Sequence, residues 1–235
     1  MSGQLLAAVL MIPLWVGGFA AAIWLGVVKP ARKASAALAQ LNGSLGLAHG
    51  VTSDSLWPAT RNQFTWTSWP LLKGSRGNYR VEVTVQPAVR WHSTLTTVAI
   101  SGPQNVAGQV LVSRQPEMLT FSKDALNPFA RAPSAGQGAD LKSFVGNARV
   151  FYDAAALDQL LTAPVRSKLL ELPRHWINVG FDGSTMLIAW WGVEDEPAVI
   201  EQAFRIGEES LRLLGESANT ARGAAVQRRP EPLPH

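Results

Sequence analysis

The chain contains no cysteine and little charge of either sign. Asp, Glu, Lys and Arg make up 16% of its 235 residues. The absence of thiols excludes disulfides, thiolate catalysis, iron–sulfur clusters and cysteine-based zinc sites. The four histidines stand singly, without the spacings that place two of them on one metal. We therefore expect no metal and no cofactor.

Catalytic motifs are also absent. The sequence has no G-x-S-x-G elbow, and Gly74–Gly77 precedes a strand, whereas a phosphate-binding loop follows one. The acidic pair Asp153 and Asp158 and the acidic run at 194–196 are explained by helix capping and the helix dipole. We expect no catalytic residues and no enzyme, with an unrecognised membrane-bound hydrolase as an alternative.

Charged side chains are missing from residues 5–28, a run long enough to cross roughly 30 Å of hydrocarbon. The run predicts a single transmembrane helix after a short outward N-terminus at 1–4. Lys29, Arg32 and Lys33 follow at once and are typical of a membrane-surface basic cluster that binds lipid headgroups. The pattern predicts a single-pass inner-membrane protein whose C-terminal domain is cytoplasmic.

Small residues recur along this run at helical spacing. Such residues let a second helix approach closely, although glycine and alanine are also common in transmembrane helices generally. The predicted helix–helix interface consists of Gly17, Gly18, Ala21, Ala22 and Gly26.

The remaining chain divides into a basic juxtamembrane helix at 29–43, a globular domain at 44–216 and a disordered basic tail at 217–235. The net charge of +4 is concentrated in the juxtamembrane segment and the tail. The globular domain therefore lacks the basic footprint of a nucleic-acid-binding protein, and no nucleic-acid partner is expected.

Strand and helix patterns within the globular domain predict an α+β fold. Polar and apolar residues alternate from Tyr79, which predicts a half-buried strand, and Asp182-Gly183 predicts a tight hairpin turn. Apolar residues at helical spacing from Ile200 to Leu214 predict a final amphipathic helix. The predicted domain is a mainly antiparallel sheet with two or three packing helices.

Nine tryptophans are present, an unusual number for this length. They are explained either by filling the core or by forming a patch that faces a membrane or a partner subunit. The candidate partner-facing aromatics are Trp57, Trp66, Trp69, Trp190 and Trp191.

The order of elements resembles a loose bacterial group of single-pass, membrane-anchored proteins. The resemblance spans most of residues 40–215 and rests on LGLAHG, SRGNYRVEVTV and VGNARVFYDAAALDQLLTAPVRSKLLEL, followed by the Asp-Gly hairpin and a last helix. It implies a cytoplasmic α+β domain and carries no active site. The layout is also similar to accessory subunits of energy-transducing complexes, such as the H subunit of photosynthetic reaction centres.

These observations favour a non-catalytic accessory subunit of a bacterial inner-membrane complex. Its expected partners are integral-membrane proteins, bound through the transmembrane helix and the Trp-rich domain. The alternative is a sensor or ligand-binding module with a pocket lined by Trp176, Trp190 and Trp191.

Overall fold

A computed structural model gives the fold of the chain. It describes residues 15–22, 24–50, 55–56, 71–87, 94–104, 108–113, 149–152, 157–172, 176–182 and 184–227. Three of the candidate aromatics lie outside these ranges, as do the predicted outward N-terminus and the last part of the predicted tail. The aromatics concerned are Trp57, Trp66 and Trp69.

The N-terminal part of the described chain is helical. Residues 15–22 form α1, Trp24–Val28 form a π-helical turn, and Lys29–Leu45 form α2. Within the described residues, no helix combines the length and the apolar character needed to cross a membrane. The structure thus contradicts the transmembrane helix predicted at 5–28, and with it the predicted fold class and the single-pass inner-membrane localisation.

Within the described residues, the apolar run consists of α1 at 15–22 and the π-helical turn Trp24–Val28, which leads directly into α2 with its charged first turn. Each of these apolar pieces is much shorter than the roughly 20 residues that a spanning helix needs. Pro30 lies in the first turn of α2, where its missing N–H is tolerated.

In the described part of the chain, eight strands form one sheet, and every strand pair in it is antiparallel. The spatial order is β1-β2-β3-β4-β8-β7-β5-β6. The strands are β1 Ala48–Gly50, β2 Leu71–Arg76, β3 Tyr79–Pro87, β4 Thr94–Ser101, β5 Gln109–Ser113, β6 Arg149–Tyr152, β7 Trp176–Asp182 and β8 Thr185–Trp191.

One face of this sheet, the helix-side face, carries the main core. Val81, Val83 and Val85 of β3 are fully buried there, as the alternating pattern predicted. The helices that cover it are α2 and three later ones, α3 Leu157–Leu160, α4 Ala163–Leu169 and α5 Pro197–Gln227. Each apolar side chain removed from water contributes about 1.5–3 kcal/mol.

Helix α5 buries the predicted stripe. Its core residues are Ile200, Ala203, Phe204, Leu211 and Leu214, each at most 1% exposed. The helix continues to Gln227, although the sequence predicted a disordered tail from residue 217. Residues 217–227 contain no proline and several alanines, which favours continuation of the helix.

Helix α2 also ends later than its sequence predicted. It buries Ala34 and Leu38 and runs past Gly43 to Leu45. Gly46 follows in the left-handed conformation, φ 65°, and its N–H donates to the carbonyl of Asn42 at 3.0 Å. Glycine adopts this conformation without steric cost, and the bond satisfies an otherwise unpaired terminal carbonyl.

The opposite face of the sheet, here called the second face, contains a buried polar row. Register pairs place five residues side by side across five strands. All five are buried. The row consists of Thr84, Thr97, Ala189, Asn178 and Ser113.

Candidate functional site

The N-terminal helical segment presents large apolar side chains to solvent. Trp15 is 72% exposed, Phe19 is 69% exposed and Leu25 is 61% exposed, and every residue of α1 is exposed. Protein surfaces rarely show so many large apolar groups on one short segment without a binding role. We call residues 15–25 the apolar N-terminal segment.

Four of the five residues of the predicted small-residue interface fall within this segment, and Gly26 follows it directly. A methyl group added at Gly17 or Gly18 would meet no atom of the chain within 4 Å, and Ala21 and Ala22 are exposed. Gly26 lies in the π-helical turn. No described element of the chain therefore covers the small-residue side, which leaves it open to another molecule.

The predicted basic residues directly follow this segment. Lys29, Arg32 and Lys33 are all exposed. The guanidinium carbon of Arg32 lies 4.8 Å from the centre of the Trp24 ring, a cation–π distance. The basic cluster therefore lies next to the apolar segment, and Trp24 and Arg32 connect the two.

The tryptophans near the C-terminus lie on opposite faces of the sheet. Trp176 and Trp190 are register neighbours on β7 and β8, and both are buried in the helix-side core. Trp190 is 1% exposed and offers no surface to a partner. Trp191 is partly buried and packs with Leu95 and Ala189 on the second face. The three tryptophans therefore do not line one common pocket.

Some buried polar side chains on the second face form hydrogen bonds and others do not. The Thr84 and Thr97 hydroxyl oxygens lie 2.6 Å apart and share a hydrogen bond. By contrast, both side-chain polar atoms of Asn178 and the hydroxyl of Ser113 are buried and have no hydrogen-bond partner among the residues that the structure describes. Buried polar groups are normally paired, so each exception calls for an explanation.

A buried carboxylate lies at another position on the second face. Glu82 of β3 is 2% exposed. Its Oε1 accepts a short hydrogen bond from the Ser55 hydroxyl, and its Oε2 accepts one from the Leu56 backbone N–H at 2.7 Å. These bonds attach residues 55–56 to the sheet.

A charged cleft of about 420 Å³ lies beside α5. Within it, Lys168 pairs with Glu171 at 2.7 Å, and Arg212 pairs with Glu209 at 2.7 Å. The hydrogen bond from Arg212 lowers the pKa of the Glu209 carboxyl. The lining residues are Tyr79, Lys168, Glu171, Arg205, Ile206, Glu208, Glu209 and Arg212.

The cleft's charges balance, and most of its ions are already paired. Arg205 is the exception, since it forms no ion pair with the described residues and is exposed. The acidic residues one helical turn from Arg205 form ion pairs with other arginines. Glu201 and Glu208 pair with Arg76, and Glu209 pairs with Arg212. We interpret the cleft as a solvated ion-pair surface. Among the described residues, no group of three or more His, Asp or Glu could hold a metal ion.

Comparisons with known proteins identify no family for this chain. No protein-family model matches the chain, and a search of curated proteins found no match. The crystal structure of the mycobacterial trehalose monomycolate transport factor A, TtfA, is similar with a TM-score of 0.48 and 12% sequence identity, covering 86% of this chain and 98% of that chain. A likeness of this degree supports no functional inference.

Sequence reasoning missed the unpaired side chains on the second face. Ser113 and Asn178 are far apart in the sequence, and neither belongs to a motif. An available signal was Asn178 itself, a polar residue inside the apolar run HWINVGF that precedes the Asp-Gly turn. Its pairing with Ser113 depends on the strand order.

Proposed function

We propose that this protein is a non-catalytic accessory subunit that acts by binding another protein through the apolar N-terminal segment. The observation that carries the proposal is the exposure of five large apolar side chains on that segment. They are Trp15, Val16, Phe19, Trp24 and Leu25. Burying them against a partner would gain about 25 cal/mol for each Å² of apolar surface.

The chemistry of the segment defines the partner. Gly17 and Gly18 leave room for close approach, which suits a helix packed against α1, and the large side chains around them provide apolar contact area. Lys29, Arg32 and Lys33 add positive charge at one end. The fitting partner surface is therefore an apolar helix that continues into an acidic stretch.

Co-purification of the full chain with its partner from the native host tests this proposal. Phe19→Glu places a charge in the proposed contact and should reduce the recovered partner at least about tenfold. Leu170→Glu is the matched control, because Leu170 is a large apolar residue of similar exposure, 63% against 69%, outside the segment.

The two variants must differ for the proposal to stand. Equal partner recovery with Phe19→Glu and wild type would show that the segment is not the docking element. A photo-reactive residue at position 19 should also cross-link to the same partner, and one at position 170 should not.

A further inference from the structure

Arg32 lies over the ring of Trp24 although the two residues are eight positions apart. The guanidinium carbon is 4.8 Å from the ring centre. In an uninterrupted α-helix each residue turns by about 100°, so a residue seven positions on lies almost in line and a residue eight positions on lies about 80° around the helix. The π-helical turn Trp24–Val28 closes i→i+5 bonds and takes one residue more than an α-helical turn. It therefore brings Arg32 into line with Trp24.

The positive charge of this region has no acidic counterpart in the surrounding sequence. Residues 1–53 contain Lys29, Arg32 and Lys33 but no Asp or Glu. All three cations are exposed, and none of them forms an ion pair with the residues that the structure describes. The contact with the Trp24 ring uses none of the guanidinium N–H donors of Arg32, so these donors are available to a second molecule.

The contact with Trp24 also distinguishes Arg32 from the two lysines. A guanidinium presents a planar fork that matches both oxygens of a carboxylate, whereas an ammonium is a point charge on a flexible stem. Ordering such a side chain on binding costs entropy, and a side chain that is already held loses less. Trp24 is 47% exposed and Leu25 is 61% exposed, so a molecule that covers them comes directly beside Arg32.

We propose that Arg32 determines which partner docks on the apolar N-terminal segment, by forming a two-bond ion pair with a carboxylate of that partner. Trp24 is a positioning residue, because it holds the guanidinium beside the apolar contact. This inference rests on the proposed function and adds one requirement to it. The partner helix carries an Asp or Glu next to the apolar residues that contact Trp24 and Leu25.

Co-purification of the full chain with three variants tests the role of Arg32. Arg32→Lys keeps the charge but removes the fork, so the recovered partner should fall about tenfold. Lys33→Gln removes a whole charge at the next position, yet should lower recovery less than about twofold, because a single exposed charge contributes little. The exchange Arg32→Lys with Lys33→Arg conserves composition and charge but moves the guanidinium out of line with Trp24. It should lose as much partner as Arg32→Lys.

A double-mutant cycle tests the role of Trp24. Trp24→Leu keeps an apolar side chain and removes the ring, so it should lower partner recovery about as much as Arg32→Lys. The double variant should lose little more than either single variant, because both changes remove the same contact. All of these variants should unfold at the wild-type temperature, since both side chains are exposed. Losses that multiply in the double variant would show that Trp24 does not act through Arg32.

A cross-link and a charge exchange identify the carboxylate. Position 36 is exposed and lies one helical turn beyond Arg32, so a photo-reactive residue there should cross-link to the partner helix close to an Asp or Glu. Arg32→Glu should abolish partner recovery. Changing that acidic residue of the partner to arginine should restore it, because the ion pair then forms with its charges exchanged.

Three results would overturn the role of Arg32. They are wild-type recovery with Arg32→Lys, a larger loss with Lys33→Gln than with Arg32→Lys, and cross-linking from position 36 to lipid or nucleic acid. The last result would assign the guanidinium to a phosphate group. Failure of this inference is distinguishable from failure of the proposed function, because Phe19→Glu still reduces partner recovery if only the role of Arg32 is wrong.

Discussion

Arg76 at the end of β2 donates a hydrogen bond from Nε to Oε1 of Glu208 on α5, at 2.9 Å and across 132 residues of sequence. Its Nη1 donates to Glu201 at 2.8 Å, and its guanidinium carbon lies 5.2 Å from the centre of the Phe204 ring. One arginine therefore attaches the last long helix to the edge region of the sheet through two ion pairs and one ring contact.

Removing this attachment should destabilise the fold. Burial alone lowers the pKa of Arg76, but hydrogen bonds and charge from Glu201 and Glu208 outweigh it and raise the pKa above its ordinary value. An upward shift stabilises the fold at every pH below the ordinary arginine pKa, so the contribution is fully present at neutral pH. Arg76→Met should lower the free energy of unfolding by about 1 kcal/mol in urea titrations.

A local ion pair provides the control for this variant. Lys168 and Glu171 are three residues apart, so their pair connects no distant elements. Lys168→Met should cost less than about 0.5 kcal/mol. An equal or larger loss for Lys168→Met would show that Arg76 has no special role in holding α5.

Glu209 should titrate below the ordinary glutamate range. Arg212 donates hydrogen bonds to both of its carboxylate oxygens, at 2.7 and 2.9 Å, and this lowers the pKa. The resulting stabilisation is complete above the ordinary carboxyl pKa and is lost as the pH falls through the lowered value. Arg212→Gln should return the pKa toward the ordinary range, measured from the carboxyl ¹³C shift against pH. Arg205→Gln serves as the control and should change that curve little.

Ser55 should contribute to stability through the buried carboxylate of Glu82. Its hydroxyl donates to Oε1, and hydrogen bonds to charged groups contribute about 1.5–3 kcal/mol. Ser55→Ala should therefore reduce the free energy of unfolding by about 2 kcal/mol. Ser75→Ala, at an exposed position of β2, should change it by less than about 0.5 kcal/mol. Similar small effects for both variants would disprove the structural importance of the Ser55 contact.

Two helical glycines should respond to alanine with opposite signs. A methyl group at Gly207 of α5 would lie 2.5 Å from Cδ1 and 3.1 Å from Cγ1 of the buried Ile100, whereas one at Gly43 of α2 would meet nothing within 4 Å. Gly207→Ala should destabilise by about 1 kcal/mol because overpacking exceeds the gain in helix propensity. Gly43→Ala should stabilise by up to about 1 kcal/mol. Thermal unfolding of both variants checks the signs, and stabilisation at Gly207 would show that the Ile100 side chain moves aside easily.

The sequence by itself determined the elements whose signal is local and periodic. Alternation in Tyr79–Pro87 located a strand and its buried valines, and helical spacing from Ile200 to Leu214 located the buried stripe of α5. The hairpin around Asp182 was readable from its turn residues, and Asp182 does pair with Thr185. In each case the exposure of one element follows from the spacing of its own side chains.

Only the tertiary structure decided which elements meet and where each one ends. Strand β7 lies between β8 and β5, although β5 precedes it by more than 60 residues, and this order brings Asn178 beside Ser113 and Trp176 beside Trp190. The apolar run at 5–28 predicted a membrane helix from hydropathy alone, whereas the described part of the run is a short exposed helix and a π-helical turn. The spacing of apolar residues along one helix or strand shows which of its sides is apolar. The partner that covers a side is set by pairing between residues distant in sequence, which no local pattern encodes.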